Sequence, residues 1–116
     1  LGDALGYCHM KGNRADCGGL KIGPGGHTMQ TTIDSLALEV CDLIYLDIEG
    51  GEYNALNGAL NTIARLHPVI VCEAKGLDPK FRDGARAGSP RFREWVESLG
   101  YVFHARYGAD EVFLPA

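Results

Sequence analysis

The stretch Asp42-Leu43-Ile44-Tyr45-Leu46-Asp47-Ile48-Glu49-Gly50 constrains this chain more than any other. A short aliphatic run closed by glycine reads as a strand buried on both faces. The following segment, Glu52 to Leu66, places Leu56, Ala59, Leu60 and Ile63 at i, i+3, i+4, i+7. That spacing predicts one helix with a single buried stripe. Pro68 stops it, because the residue before a proline is pushed out of the helical region. Val69-Ile70-Val71-Cys72-Glu73 then predicts a second buried strand, again ending on an acid. The result is a right-handed β-α-β unit with Asp47, Glu49 and Glu73 near one edge of a parallel sheet. Open α/β sheets hold ligands in the crevice outside the carboxyl ends of their strands.

The rest of the chain divides around that unit. Residues 1–30 form a glycine-rich loop or hairpin region: Gly6 to Met10 could be a short strand, and six glycines with Pro24 punctuate Gly12 to Gly26. A phosphate cradle would need Gly-Lys-Ser/Thr opening a helix, and none follows. Thr31 to Leu38 predicts a short helix with Thr32 as its N-cap. Lys75 to Gly88 lacks periodicity and reads as a loop, with basic residues at Lys75, Lys80, Arg82, Arg86, Arg91 and Arg93 clustered around it. Ser89-Pro90 opens a helix carrying Phe92, Trp95, Val96 and Leu99, stopped by Gly100. Tyr101–Arg106 and Glu111–Leu114 are two strands whose short connection makes them antiparallel. Residues 31–116 therefore predict a β-α-β-α-β-β core. At 116 residues the chain is one domain at most. It opens on Leu1, so a trimmed or incomplete chain is expected.

Composition excludes some functions. The net charge is −4. Residues 1–58 hold three basic and eight acidic side chains, so no basic footprint for nucleic acid exists there. No apolar run approaches the roughly 20 residues of a membrane span, and no signal peptide opens the sequence. Cys8, Cys17, Cys41 and Cys72 have no close-spaced pairs, which favours a reduced, cytoplasmic protein. Cys8, His9, Cys17 and His27 match no common zinc spacing.

Several of these segments together resemble the FkbM-type S-adenosylmethionine-dependent methyltransferases. The resemblance runs through Thr31-Thr32-Ile33-Asp34-Ser35-Leu36, the Asp47-Ile48-Glu49-Gly50 strand end with Glu52, Leu56-Asn57-Gly58-Ala59, Pro68-Val69-Ile70 with Glu73, and Leu99-Gly100-Tyr101. Leu1-Gly2-Asp3 is similar to the segment after the family's third strand. Two positions depart: Tyr45 stands where the family usually has lysine, and Gly51 where it often has alanine.

The resemblance implies a Rossmann-like methyltransferase sheet, mostly parallel with a C-terminal antiparallel hairpin. It implies that residues 1–116 are its C-terminal half, lacking the N-terminal cofactor-binding half. It implies O-methylation of a sugar, lipid-like or natural-product hydroxyl, with S-adenosylmethionine contacted at Gly2, Asp3 and Asp47. Catalysis would fall to Asp47, Glu49 and Glu73. Asp47 would act as general base or as a ligand to a divalent cation such as magnesium, since carboxylates suit hard ions. Two alternatives stand beside it: a non-catalytic remnant or assembly module, and a metal-dependent phosphoryl-transfer enzyme using Asp47 and Glu49. Without its cofactor half, the strand at Leu43 would be an exposed edge, open to a homodimer or another partner.

Overall fold

The computed structural model describes residues 2, 6–11, 21–24, 28–74 and 86–116. The expectations at Asp3, at most of Gly12 to Gly26, and at Lys75, Lys80 and Arg82 lie wholly or partly outside them. The described chain is α/β and contains two sheets.

The first sheet is antiparallel: β1 (Gly6–Lys11) lies between β2 (Lys21–Pro24) and β3 (Thr28–Gln30). The strand expected at Gly6 is therefore present, and part of the expected glycine loop is a strand too. Gly2 joins this region to Thr32 through a parallel bridge, its N–H donating to the Thr31 carbonyl at 2.8 Å.

The second sheet holds β4 (Leu43–Leu46), β5 (Val69–Glu73), β6 (Tyr101–Tyr107) and β7 (Asp110–Pro115) in the order β4-β5-β7-β6. β4 and β5 are parallel, with Leu46 beside Cys72, as the β-α-β pattern requires. The C-terminal hairpin is antiparallel, and β7 inserts between β5 and β6. The sheet is thus mixed.

One face of this sheet is packed. Ile44, Leu46, Ile70, Cys72, Tyr101 and Phe113 meet Ala55, Leu56, Ile63, Phe92 and Val96 in one buried cluster. Phe113 stacks edge-on with Phe92 and Phe103, at centroid distances of 6.2 and 5.8 Å. Such edge-to-face pairs are favoured by the ring quadrupole. Burial pushes the Tyr101 phenol up to about 12, and its hydroxyl donates to the Pro68 carbonyl at 2.6 Å. The expectation of burial on both faces does not hold for β4: Ile44 and Leu46 are buried, while Leu43 and Tyr45 are 55% and 53% exposed. Side chains alternate across a strand, and among the described residues the helices cover only one side.

The helix expected over Glu52–Leu66 is two helices, α1 (Glu52–Asn57) and α2 (Leu60–Leu66). Asp34 makes the break. Its N–H donates to the Gly58 carbonyl at 2.9 Å, which occupies an acceptor at the end of α1. Its carboxylate accepts from the first amides of α2. The re-aimed second helix buries Thr62 and Ile63 and turns Leu60 outward, at 39% exposed. Leu60 is therefore no core residue, contrary to the single-stripe expectation. The segment before β4 forms a single 3₁₀ turn over Asp34–Leu36, not a capped α-helix, although Thr32 Oγ1 does accept from the Ser35 N–H at 3.1 Å.

The helix opened by Ser89 is α3 (Pro90–Ser98): Ser89 Oγ accepts from the Phe92 N–H at 3.1 Å, with Pro90 in the first turn. Gly100 follows it at φ +92°, a left-handed position that glycine adopts without strain. No helix among the described residues is long and apolar enough to cross a membrane.

Candidate functional site

The site grows from the turn between β4 and α1. Asp47 is the first residue beyond β4 and is exposed. The chain must then reverse within four residues, and Glu49 (φ +55°) and Gly50 (φ +94°) both adopt left-handed conformations to do so. The φ at position 50 favours glycine, and the Arg86 guanidinium lies over its Cα, Nη1 2.5 Å from where a Cβ would stand. Gly51 donates its N–H to the Ile48 carbonyl at 3.3 Å and delivers the chain to Glu52, the first residue of α1.

Glu52 points back under this turn. It is fully buried, and its Oε1 accepts from the Ile48 N–H at 3.1 Å. Its Oε2 is also buried and has no hydrogen-bond partner among the described residues. Glu73 ends β5, and the parallel register sets Leu46 beside Cys72, so that Asp47, the next residue after Leu46, comes near Glu73. Carboxylate oxygens of Asp47, Glu52 and Glu73 consequently lie within 4.8 Å of one another. Three elements converge here: the end of β4, the start of α1 and the end of β5.

Of the residues singled out from sequence, Asp47 and Glu73 belong to this group. Glu49 lies outside it, in the turn that shapes it. Asp3 lies outside the described residues. Gly2 is buried, and the Gln30 side chain fills the space where a Cβ would stand. Glu52 joins the group although its place in a first helical turn is explained by the helix dipole alone. The signal for it is its spacing, five residues beyond Asp47, across a turn too tight to send the helix elsewhere.

The surroundings carry negative charge. Tyr45 lies on the exposed side of β4, and its hydroxyl donates to Asp110 Oδ2 at 2.8 Å. Asp110 pairs with Glu73 in the sheet register. That hydrogen bond, some burial, and the charges of Asp110, Asp47 and Glu73 hold the Tyr45 phenol above its ordinary value. Beneath the site, burial pushes the Cys72 thiol far up, and Glu52 and Glu111 add to the effect. A thiol held protonated in this way is no nucleophile. Glu111 is likewise buried, but it receives Arg93 Nη2 at 2.7 Å and braces β7 against α3.

Such an arrangement can accept a proton, hold hydroxyl groups, or bind a hard cation. Comparison with known proteins narrows the choice. The methyltransferase FkbM domain matches residues 27–103, well over half of the chain and inclusive of all three acids. Neither the curated proteins nor the solved structures gave a match. With its Asp-x-Glu-Gly turn, its parallel β4–β5 pair and a matched span of this length, the chain belongs to the FkbM methyltransferase domain family.

Proposed function

We propose that this chain provides the acceptor side of an S-adenosylmethionine-dependent O-methyltransferase acting on a hydroxyl of a sugar, lipid-like or natural-product molecule. The single observation behind this reading is the meeting of Asp47 and Glu73 at the carboxyl ends of two parallel strands. In open α/β sheets that is where substrates bind. The family supplies the reaction class.

S-adenosylmethionine would supply an electrophilic methyl group on a positively charged sulfur. The described residues do not amount to a holder for it. Gly2 has its N–H engaged by Thr31, and the acids that converge suit hydroxyls and cations better than a whole nucleoside. The reading therefore concerns what these side chains do to the acceptor, within a Rossmann-like sheet of which residues 1–116 would be the C-terminal half.

Asp47 is exposed at a rigid strand end, so an acceptor can reach it. The acceptor hydroxyl donates to an Asp47 carboxylate oxygen, and its proton passes there as the oxygen becomes nucleophilic. Glu73, half-buried beside it, accepts from a neighbouring hydroxyl and fixes the acceptor's orientation. Tyr45, locked onto Asp110 on the exposed face, forms one wall. A version of the protein that also carries a cofactor-binding half, incubated with methyl-labelled S-adenosylmethionine and a panel of sugar and lipid-like alcohols, tests the reading. Label in an acid-stable ether is expected. Cofactor binding without transfer to any alcohol would favour a non-catalytic module.

A further inference from the structure

We propose that Asp47, Glu52 and Glu73 form a binding site for one divalent cation of the magnesium, manganese or calcium class. The site coincides with the proposed acceptor site and so deepens that reading, but the observations behind it stand on their own.

The first observation is the donor set. Three carboxylates from three elements bring oxygens within 4.8 Å of one another. Oxygen ligands on opposite sides of a calcium or magnesium ion lie roughly 4–5 Å apart, twice the metal–oxygen distance. The group is therefore close enough for one ion to draw all three carboxylates into its coordination sphere by small side-chain movements. All donors are hard oxygens, which excludes a preference for soft metals.

The second observation is independent, and it concerns Glu52. Its side chain is fully buried, one oxygen is fixed by the Ile48 N–H, and the other, Oε2, has no hydrogen-bond partner among the described residues. A buried carboxylate oxygen left without a partner is destabilising, and the cost grows with charge. The Ile48 N–H and the helix dipole account for one oxygen of this acid, and they leave the second, buried oxygen unbalanced. A cation at the group would balance the buried charge of Glu52 together with the charges of Asp47 and Glu73. Because Glu52 is held from below and Asp47 is exposed, the ion would be anchored from the core and open to solvent on one side. The open positions are where water or an acceptor hydroxyl would coordinate. Coordination lowers a hydroxyl's pKa and so eases its deprotonation by Asp47 or by solvent.

Arg86 offers a competing account. Its guanidinium stands beside Gly50, close enough to balance part of this charge without an ion.

Manganese separates the two. The protein is titrated with Mn²⁺ alone, without cofactor or acceptor, and free Mn²⁺ is read by its paramagnetic resonance signal. One equivalent is expected to bind, displaced by Mg²⁺ or Ca²⁺. Asp47→Asn and Glu52→Gln should each weaken binding by at least the roughly tenfold that loss of even an outer-shell partner causes. Glu97→Gln, on the exposed side of α3, should leave it unchanged. A circular-dichroism melt of each variant accompanies the titration. If Glu52→Gln unfolds, Asp47→Asn decides, since that side chain is exposed. No binding by roughly 1 mM Mn²⁺, the weak end of functional calcium-type sites, would overturn the proposal. So would equal affinity in wild type and both variants. Because ion binding is measured without turnover, its failure leaves Asp47 as a possible unaided base. Failure of methyl transfer, conversely, leaves the ion site standing.

Discussion

Asp34 Oδ1 accepts from both the amide and the hydroxyl of Thr62, at 2.8 and 2.7 Å, across 28 residues of sequence. Its second oxygen takes the Asn61 N–H at 3.1 Å. One carboxylate thus caps α2 from outside the helix and ties the segment before β4 to the helix after it. Burial pushes this carboxyl up, but the Thr62 and Asn61 hydrogen bonds and the Arg65 charge outweigh it, leaving it below the ordinary value of 3.8.

Asp34→Ala should therefore lower stability by at least the roughly 0.5–2 kcal/mol typical of losing an N-cap, read from the denaturant midpoint. The pH dependence has a definite sign. A depressed folded-state carboxyl stabilises fully above its unfolded value near 3.8, and the contribution is lost as pH falls through the lower folded value. Asp34→Asn should flatten the acid limb of the stability curve. An unchanged limb would show that Asp34 does not hold the two segments together.

The broken helix reassigns which leucine matters. Leu56 is fully buried and Leu60 is 39% exposed. Leu56→Ala should cost about 2–5 kcal/mol, the range for a buried leucine truncated to alanine. Leu60→Ala should stay near the roughly 0.5 kcal/mol scale of surface substitutions. Equal losses in the two chemical melts would restore a single continuous stripe.

Asp47→Asn keeps the size of the side chain and removes its basicity. In a version that also carries a cofactor-binding half, if Asp47 takes the acceptor proton, methyl transfer should fall by roughly 10²-fold or more, the usual scale for a positioned acid or base. Cofactor affinity should change less. Wild-type turnover in this variant, measured by label transfer, would leave Asp47 a structural or ion-binding residue only.

β4 has β5 as its one strand neighbour among the described residues, and Leu43 and Tyr45 are exposed on it. An edge with unpaired backbone groups and apolar side chains is a template for another chain. We expect concentration-dependent association, visible by light scattering across a dilution series. A monomer at every concentration would mean that another segment of the chain covers the edge.

Local patterning determined much of this protein. Aliphatic runs at Leu43 and Val69 with a helical period between them were enough to define parallel β4 and β5. Ser89-Pro90 and Gly100 bounded α3 because caps act within one turn of backbone. Tyr107 to Asp110 determined the hairpin because a short connection leaves two strands no other direction. The approach of Asp47 to Glu73 was legible because the ends of two neighbouring parallel strands lie side by side.

Tertiary structure decided the rest. The break at Gly58-Ala59, and with it the exposure of Leu60, depends on a carboxylate 28 residues from Thr62, and helical periodicity contains no record of that contact. The exchange of Glu49 for Glu52 in the acidic group has the same origin. Both lie within five residues of Asp47, but the left-handed pair Glu49-Gly50 reverses the chain and buries Glu52 beneath it. The faces of β4 also differ for a reason outside the strand: a run of apolar residues states that both sides can be buried, and only the position of α1, α2 and α3 decides which one is.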